Sequence, residues 1–282
     1  MQIKIRRRTN MFELTFENML KNKPIVHCIT NFVTVNDCAN IILVGGGSPT
    51  MAHHPSEVEE ITEKSQSLVL NMGNVHEVAS MILAGEKSNS LKHPVVIDPV
   101  GIGASKLREE TFAKLSQNIQ FSVIRGNISE IKAVANGKGM TKGVDADETD
   151  MVTEDNLKVA VAMAKRLSEA LGSVIAISGA IDIVANKEKA YIIRNGHPIM
   201  ANITGTGCMS TALIGAFCGG NPENVLEATV TAVVAMGVSG DIAFEKMKRF
   251  EGGTMMFRMF LIDSISNMTL EIINGGMNIE KI

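Results

Sequence analysis

The sequence has 282 residues, of which 45% are hydrophobic, enough for one large domain with a substantial core. Its 27 basic and 30 acidic residues leave a net charge of −3, which argues against nucleic acid or an anionic membrane as the main partner. The four cysteines, at positions 28, 38, 208 and 218, include no CxxC pair, so we expect free thiols rather than a disulfide scaffold or structural zinc site.

The amino-terminal residues 1–11 are predicted to form an extension ahead of a single domain that spans residues 12–282. Their basic run KIRRR, residues 4–8, indicates a solvated arm that lacks fixed structure. A twin-arginine export signal would need an apolar stretch after the arginines, whereas an amphipathic segment follows here. We find no run of about 18 apolar residues that would span a membrane, so we expect a cytoplasmic protein.

Short apolar runs that alternate with amphipathic windows predict an α/β fold. Five runs are typical of buried strands, at 24–30, 67–73, 94–100, 121–127 and 173–179. Because these runs are apolar on both faces, they predict a mostly parallel central sheet covered by helices on both faces. Two further runs, 182–185 and 190–196, flank a polar turn and predict an antiparallel hairpin at one edge of the sheet.

Three amphipathic windows predict helices, at 56–66, 154–171 and 223–247. In the first window, Ser56 and Glu59 have the spacing of a capping box, which predicts a helix that begins immediately after Ser56.

Each predicted parallel strand ends in polar residues, in some cases together with glycine. Ligands of open α/β sheets bind beyond the carboxyl ends of the strands, so these residues are candidates for a binding site. They are Thr30 and Asn31, Asn71 and Gly73, Asp98, Arg125 to Asn127, and Ser178 and Gly179. Any one of them fits an ordinary turn, but five such ends at one rim favour a site.

The segment RGNISE, residues 125–130, allows two interpretations. Asn127 and Glu130 lie three positions apart at a predicted helix start, where an amide and a carboxylate can organise waters around magnesium. The same pair also fits a structural helix cap. Asp98, which ends an apolar strand before Pro99, is either a second carboxylate of a magnesium site or a turn residue.

The segment NITGTGCMSTALIGAF, residues 202–217, places Gly205 and Gly207 at the start of a predicted helix. Glycines let backbone amides approach a ligand and a helix N-terminus favours negative charge, so this turn is a candidate phosphate site. A plain glycine turn before a buried helix is the alternative. The segment does not match GxxxxGK[ST], which excludes the P-loop fold as its explanation.

Four motifs, in chain order, resemble those of hydroxyethylthiazole kinases of the ribokinase-like superfamily. They are IDPVG at 97–101, RGNISE at 125–130, AISGAID at 176–182 and NITGTGCMSTALIGAF at 202–217. The stretch HCITNFVTVNDCANIILVGGGSPTMAH at 27–53 is similar to the family's substrate region, although VGGGSP is richer in glycine than the family pattern. The resemblance covers roughly residues 12–270 and implies a single ribokinase-like kinase domain.

The resemblance implies phosphorylation of the hydroxyl of 4-methyl-5-(2-hydroxyethyl)thiazole by ATP with Mg²⁺, in thiazole salvage for thiamine biosynthesis. It further implies a homotrimer with sites between protomers. The site residues that it implies are Met51, Gly205 and Asn31 for the thiazole substrate, Arg125, Ser178, Thr206 and Gly207 for ATP, Asp98 and Glu130 for magnesium, and Cys208 in place of the superfamily's catalytic aspartate.

The role of Cys208 is open between a weak base, a hydrogen-bond partner of the substrate hydroxyl and a packing residue. We expect the helix N-terminus to lower the pKa of its thiol towards neutrality, a shift that an incoming triphosphate opposes. The other cysteines are expected to serve only in helix–sheet packing.

Two other functions fit the same fold, namely a dehydratase of hydrated nicotinamide nucleotides and a non-catalytic sensor of nucleotide or thiazole. The HCITNFVTVND segment and GTGC speak against the dehydratase. An intact set of Asp98, Glu130 and Cys208 speaks against the sensor.

Overall fold

The computed structural model describes residues 11–137 and 151–282. The predicted extension therefore lies outside the described residues, apart from Met11, which already belongs to the first helix. The extension's lack of fixed structure and the single domain at 12–282 stay predictions.

Nine strands within the described residues form one sheet. They are β1 (Ile25–Ile29), β2 (Ser48–Thr50), β3 (Ser67–Asn71), β4 (Val95–Asp98), β5 (Val123–Asn127), β6 (Val174–Ser178), β7 (Asp182–Ala185), β8 (Ala190–Ile193) and β9 (Ile279–Lys281). The strand order is β2-β1-β3-β4-β5-β6-β7-β8-β9. The first six strands in this order pair in parallel, and the pairs from β6 to β9 are antiparallel. The predicted mostly parallel sheet is confirmed.

Each of the five predicted parallel strands lies inside its predicted run, and β7 and β8 form the predicted hairpin. The hairpin turn closes with a hydrogen bond from the backbone N–H of Asn186 to the carbonyl of Lys189 (3.0 Å). The hairpin is not the edge of the sheet, however, because β9 pairs with β8 outside it. Sequence analysis missed β2 and β9, since three-residue edge strands leave no apolar run.

Within the described residues the helices are α1 (Met11–Asn22), α2 (Val35–Val44), α3 (Val58–Lys64), α4 (Val78–Ser90), α5 (Lys106–Asn118), α6 (Ile128–Gly137), α7 (Leu157–Leu171), α8 (Thr206–Gly220), α9 (Val225–Arg249), α10 (Thr254–Ser266), α11 (Leu270–Gly276) and a 3₁₀ helix (Pro198–Asn202). The predicted capping box at Ser56 is wrong. The N–H of Ser56 donates to Nδ1 of His54 in a turn, and α3 begins two residues after Ser56 without a side-chain cap.

Alternate residues of the strands face two separate cores, one on each side of the sheet. On β3, Val69 packs into the core formed with α1, α2, α8, α9 and α10. Leu68 and Leu70 face the opposite core, which α3 to α7 cover. The predicted helical layers on both faces are therefore present, and the sheet is buried between them.

Helix α8 lies directly against the sheet because a glycine stands at the contact. An ideal Cβ at Gly215 would lie only 2.2 Å from Cγ2 of Val69 on β3. Cys28, Cys38 and Cys218 are buried free thiols around this layer, as the packing interpretation predicts. The close contact fixes the first turn of α8 above the carboxyl ends of the strands.

Helix α9 differs from the expectation that no segment is apolar enough to cross a membrane. It passes that test by length and composition, with a mean hydropathy of 1.5 over an 18-residue window. The window is 78% buried inside the protein, as in the core helix of a globular protein. Its apolar character comes largely from alanine, valine and glycine between polar residues, so it does not stand out as an uninterrupted run.

Candidate active site

The carboxyl ends of the central parallel strands meet the first turn of α8 at one edge of the sheet. The strand register places Asn71 on β3 beside Asp98 on β4, and Asn127 on β5 beside Ser178 on β6. Side-chain hydrogen bonds from this row reach Cys208 and Thr211 on α8. The prediction that these strand ends share one rim is confirmed.

The glycine turn at 205–207 allows other groups to approach its backbone closely. Gly205 is the N-cap of α8 at φ 95°, and an ideal Cβ there would lie 3.0 Å from Cγ2 of Thr34. An ideal Cβ at Gly207 would lie 2.7 Å from Nη1 of Arg125. The hydroxyl of Thr206 donates back to the carbonyl of Met200 (3.1 Å). Among the described residues, no side chain caps the N-terminus of α8, so its first-turn amides are left for an anion.

Cys208 is the third residue of α8, and its partly buried sulfur accepts two amide donors. Nδ2 of Asn71 lies 3.3 Å from Sγ, and Nδ2 of Asn31 lies 3.5 Å from it. Burial raises the pKa of the Cys208 thiol, and the nearby Asp98 carboxylate raises it further, whereas hydrogen bonds from Thr34 and Asn31 oppose the rise. The expected fall towards neutrality is therefore wrong, because burial outweighs the stabilising donors.

Asp98 is a buried carboxylate held by two partners on different elements. Its Oδ2 accepts a hydrogen bond from the Thr211 hydroxyl (2.8 Å) and lies 3.4 Å from Nη1 of Arg125. Burial raises the pKa of Asp98 to about 6; Arg125 and Thr211 oppose the rise, and the charge of Glu130 adds to it. Burial thus destabilises the ionised carboxylate, which a nearby cation would stabilise.

Arg125 links Asp98 to the neighbouring strand. Its Nη2 donates to Oγ of Ser178 (2.6 Å), so three of the predicted site residues form one connected group. Among the described residues, Nε of Arg125 is buried without a hydrogen-bond partner. A guanidinium with an unsatisfied donor beside a glycine turn is suited to a phosphate ligand.

Asn127 and Glu130 form the capping arrangement that was one of their two interpretations. The N–H of Glu130 donates to Oδ1 of Asn127 (2.8 Å), and the N–H of Asn127 donates to Oε2 of Glu130 (2.8 Å). Oε1 of Glu130 also accepts the N–H of Gly101 (2.9 Å), which ties α6 to the loop after β4. The cap fixes the Glu130 carboxylate near Asp98 and leaves a role beside a hydrated ion open.

Asp98 and Glu130 are the carboxylates that could hold magnesium at this rim. Within residues 11–137 and 151–282, no group of three or more His, Cys, Asp or Glu side chains could enclose a metal ion. Magnesium commonly retains waters and is bound through one or two carboxylates plus substrate phosphates, without a cage of protein ligands. Asp98, destabilised by burial and by the charge of Glu130, fits that kind of site.

Met51 stands at the carboxyl end of β2, the strand that pairs in parallel with β1. Met51 and Cys208 both pack, partly buried, against the core on the α8 side. Nearby, the rings of Phe32 and His53 lie 6.2 Å apart, and Phe32 and Val33 are 70% and 75% exposed. The structure thus places an apolar wall beside the polar rim.

The structure places at the site three residues that had no individual role in the sequence-based expectations. Asn71 was flagged only as a strand end, yet it is the closer of the two amides to Cys208. Thr211 lies one helical turn after Cys208, a spacing that signals a shared face of α8. Asp182 accepts the N–H of Gly179 (2.8 Å), and burial raises its pKa to about 6.

A cavity of about 580 Å³ lies at the opposite end of the sheet. Its wall comes from the amino ends of β5 and β6, the β7–β8 turn and the start of α9. None of the rim residues lines it. Ligands of this class of sheet bind at the carboxyl ends, so the rim at α8 is the candidate active site.

Comparison with known proteins identifies the family. Residues 16–271 match the model of the hydroxyethylthiazole kinase family. The chain belongs to this family. The hydroxyethylthiazole kinase of Clostridium acetobutylicum is 50% identical over 260 residues, which cover 92% of this chain and 95% of that protein.

Solved structures agree with this family membership. The hydroxyethylthiazole kinase of Pyrococcus horikoshii OT3 matches with a TM-score of 0.85 at 30% identity, covering 96% of this chain and 99% of that chain. A ribokinase-like superfamily protein from Enterococcus faecalis V583 has a TM-score of 0.60 at 12% identity, over 89% of this chain and 88% of that chain, which shows the fold alone. The predicted ribokinase-like fold is confirmed. As a member of the hydroxyethylthiazole kinase family the chain is a kinase, and neither the dehydratase nor the sensor is supported.

Proposed function

We propose that the protein transfers the γ-phosphoryl group of ATP to the hydroxyl of 4-methyl-5-(2-hydroxyethyl)thiazole, with Mg²⁺, in thiazole salvage for thiamine biosynthesis. The observation that carries the proposal is the uncapped first turn of α8, where Cys208 faces the Asp98–Arg125 pair. Phosphoryl transfer depends mainly on positioning and charge neutralisation, and this arrangement supplies both.

In this proposal the nucleotide binds between α8 and the ends of β5 and β6. The first-turn amides of Thr206 and Gly207 face its terminal phosphates, and Arg125 and Ser178 donate to its oxygens. The buried unsatisfied Nε of Arg125 supports this assignment, because a phosphate would supply the missing acceptor.

Asp98 and Glu130 would hold magnesium, which neutralises charge that develops on the transferred group. The raised pKa of Asp98, which burial and the charge of Glu130 cause, supports a cation there. Because both carboxylate oxygens of Glu130 already accept backbone N–H groups, from Asn127 and from Gly101, its part is to orient waters around the ion.

The acceptor alcohol binds on the other side of Cys208, against Met51, Gly205 and Asn31. There Cys208 contacts the hydroxyl that attacks phosphorus. In a loose transition state the alcohol keeps its proton until late, so a thiol with a raised pKa contributes little as a base. The α8 amides, Arg125 and the cation carry most of the charge stabilisation.

We also propose a cytoplasmic homotrimer with each thiazole site completed by a neighbouring protomer. The exposed apolar side chains of Phe32 and Val33 beside the site support a partner surface there. Sedimentation equilibrium of the purified protein tests the assembly, and a monomeric protein with full activity would contradict it.

A coupled assay of ADP release tests the activity. The thiazole alcohol is compared with hydroxymethylpyrimidine and with sugars, at equal concentrations and with saturating ATP and Mg²⁺. We expect kcat/KM for the thiazole alcohol to exceed that for the other alcohols by at least about 10²-fold. Turnover of another alcohol without turnover of the thiazole would refute the substrate assignment.

A further inference from the structure

Two asparagine side chains converge on the sulfur of Cys208 from adjacent strands. Nδ2 of Asn71, at the end of β3, lies 3.3 Å from Sγ, and Nδ2 of Asn31, just after β1, lies 3.5 Å from it. Nδ2 of Asn31 also donates to Oδ1 of Asn71 (3.1 Å). The two amides and the thiol therefore form one hydrogen-bonded triangle.

Backbone groups fix the orientation of both amides. Oδ1 of Asn71 accepts the N–H of Gly73 (2.8 Å), and Oδ1 of Asn31 accepts the N–H groups of Val33 (3.0 Å) and Thr34 (3.1 Å). An amide oxygen committed to an N–H donor leaves the NH₂ group on the opposite side, towards the sulfur. Flipping either amide would set an oxygen against the sulfur and an NH₂ group against backbone N–H donors.

Because both asparagines are buried, water cannot replace the sulfur as the acceptor for their NH₂ groups. Asn71 is 1% exposed and Asn31 9% exposed. An unmet buried donor is costly, so the lowest-energy arrangement keeps both NH₂ groups on the sulfur. The sulfur thus accepts two amide hydrogen bonds from the sheet side, in addition to its hydrogen bond with the Thr34 side chain, and its remaining direction faces away from the sheet.

We propose that Asn71 is a positioning residue that, together with Asn31, holds the sulfur of Cys208 so that its free direction points at the acceptor alcohol. The inference rests on the proposed function, since the alcohol is the group that Cys208 faces there. Asn71 touches neither substrate in this account and acts only through Cys208. Hydrogen-bond donors to the sulfur also stabilise its thiolate form and so oppose the rise in the thiol pKa that burial causes.

Asn71→Asp is the sharpest test, because it keeps an oxygen for Gly73 and for Nδ2 of Asn31 and replaces the donor to the sulfur by a carboxylate oxygen. We expect kcat to fall about tenfold, with less than about twofold change in KM for ATP or the thiazole alcohol. In a Cys208→Ala background the same change should alter kcat by less than about twofold. An equal loss of kcat in both backgrounds would show that Asn71 supports the fold rather than the sulfur.

The rate of alkylation by iodoacetamide measures the reactivity of the Cys208 sulfur directly and needs no substrate. Cys28, Cys38 and Cys218 are buried, so peptide mapping by mass spectrometry should find Cys208 as the labelled site. The Asn71→Asp change should slow this labelling about tenfold. Unchanged labelling of the variant would overturn the proposal.

The matched control is Asn74→Asp. Asn74 is a buried asparagine in the loop that follows β3 (4% exposed), and its Oδ1 accepts the N–H of His76, but among the described residues its Nδ2 has no hydrogen-bond partner. We expect kcat and labelling of this variant to stay within about twofold of the wild type. A tenfold loss there as well would assign the Asn71 effect to any added carboxylate and would refute the proposal.

Two further observations keep the test decisive. If Asn71→Asp does not fold, as judged by thermal unfolding, Asn71→Ala removes the same donor without a charge and should slow labelling likewise. If the wild type fails to phosphorylate the thiazole alcohol, the proposed function is wrong. The labelling rates then still decide whether Asn71 positions the sulfur.

Discussion

The substitution Gly207→Ala would place a methyl group between the first turn of α8 and the guanidinium of Arg125. An ideal Cβ at Gly207 lies 2.7 Å from Nη1 and 3.3 Å from Nη2 of that side chain. The nearer distance is too short for a carbon–nitrogen contact, so the guanidinium must move. This movement disrupts the hydrogen bond from Arg125 to Oγ of Ser178 (2.6 Å) and the ion pair of Arg125 with Oδ2 of Asp98 (3.4 Å).

The size of the effect follows from the hydrogen bonds that Arg125 is proposed to make to ATP. Loss of a hydrogen bond to a charged group costs about 1.5–3 kcal/mol, which corresponds to about 10- to 150-fold weaker nucleotide binding. The fold should tolerate the change. Alanine is favoured over glycine within a helix by up to about 1 kcal/mol, which offsets part of the weakened contact between Arg125 and Asp98.

Binding of a non-hydrolysable ATP analogue by isothermal titration calorimetry measures this change, and thermal unfolding checks the fold. Gly137→Ala is the control, since Gly137 also lies on a helix, and within residues 11–137 and 151–282 no atom outside its own helix backbone and chain neighbours lies within 4 Å of its ideal Cβ. It should bind the analogue as the wild type does. Nucleotide affinity of Gly207→Ala within twofold of the wild type would refute the placement of Arg125 at the phosphates.

Cys208→Ala is expected to lower kcat by about 10²-fold or less, and Cys208→Asp to remain active; an inactive Asp variant in steady-state assays would mean that the thiol itself is required. The raised pKa of Asp98, about 6, means that its neutral form stabilises the folded protein at low pH and that this contribution is lost as pH rises through 6. From pH 7 to pH 5 the wild type should therefore gain about 1 kcal/mol in unfolding free energy relative to Asp98→Asn, and parallel urea titrations with equal pH dependence would contradict this. Gly215→Ala should destabilise the protein by about 1–3 kcal/mol, because its Cβ would overlap Val69, and an unchanged urea midpoint would show that α8 has room to move.

The central strands were predictable because buried parallel strands have continuous apolar sequences. β4, for example, is buried along its whole length from Val95 to Asp98. β2 and β9 were not predictable, since three exposed or half-exposed edge residues carry no periodic signal. The carboxyl ends were correctly placed on one rim because parallel topology alone requires it.

The electrostatics of the site needed the structure. The helix-end argument for Cys208 uses only its neighbours in sequence, whereas its pKa is raised by burial and by Asp98, which is distant in sequence. Likewise, the end of β3 marked Asn71 as polar, but its contact with Cys208 depends on how closely α8 sits on the sheet. That spacing is set by the pair Gly215 and Val69, which no local pattern reveals.

The contact of Gly215 with Val69 has a consequence for how the protein accommodates its ligands. With no side chain between them, α8 cannot tilt towards the sheet, and the amides at 205–207 form a rigid end of the cleft. Adjustment is left to the opposite wall, where Phe32 and Val33 lie in a turn and Met51 follows a three-residue strand. In the proposed function, loop substitutions can therefore diversify the acceptor pocket while the geometry of transfer stays constant.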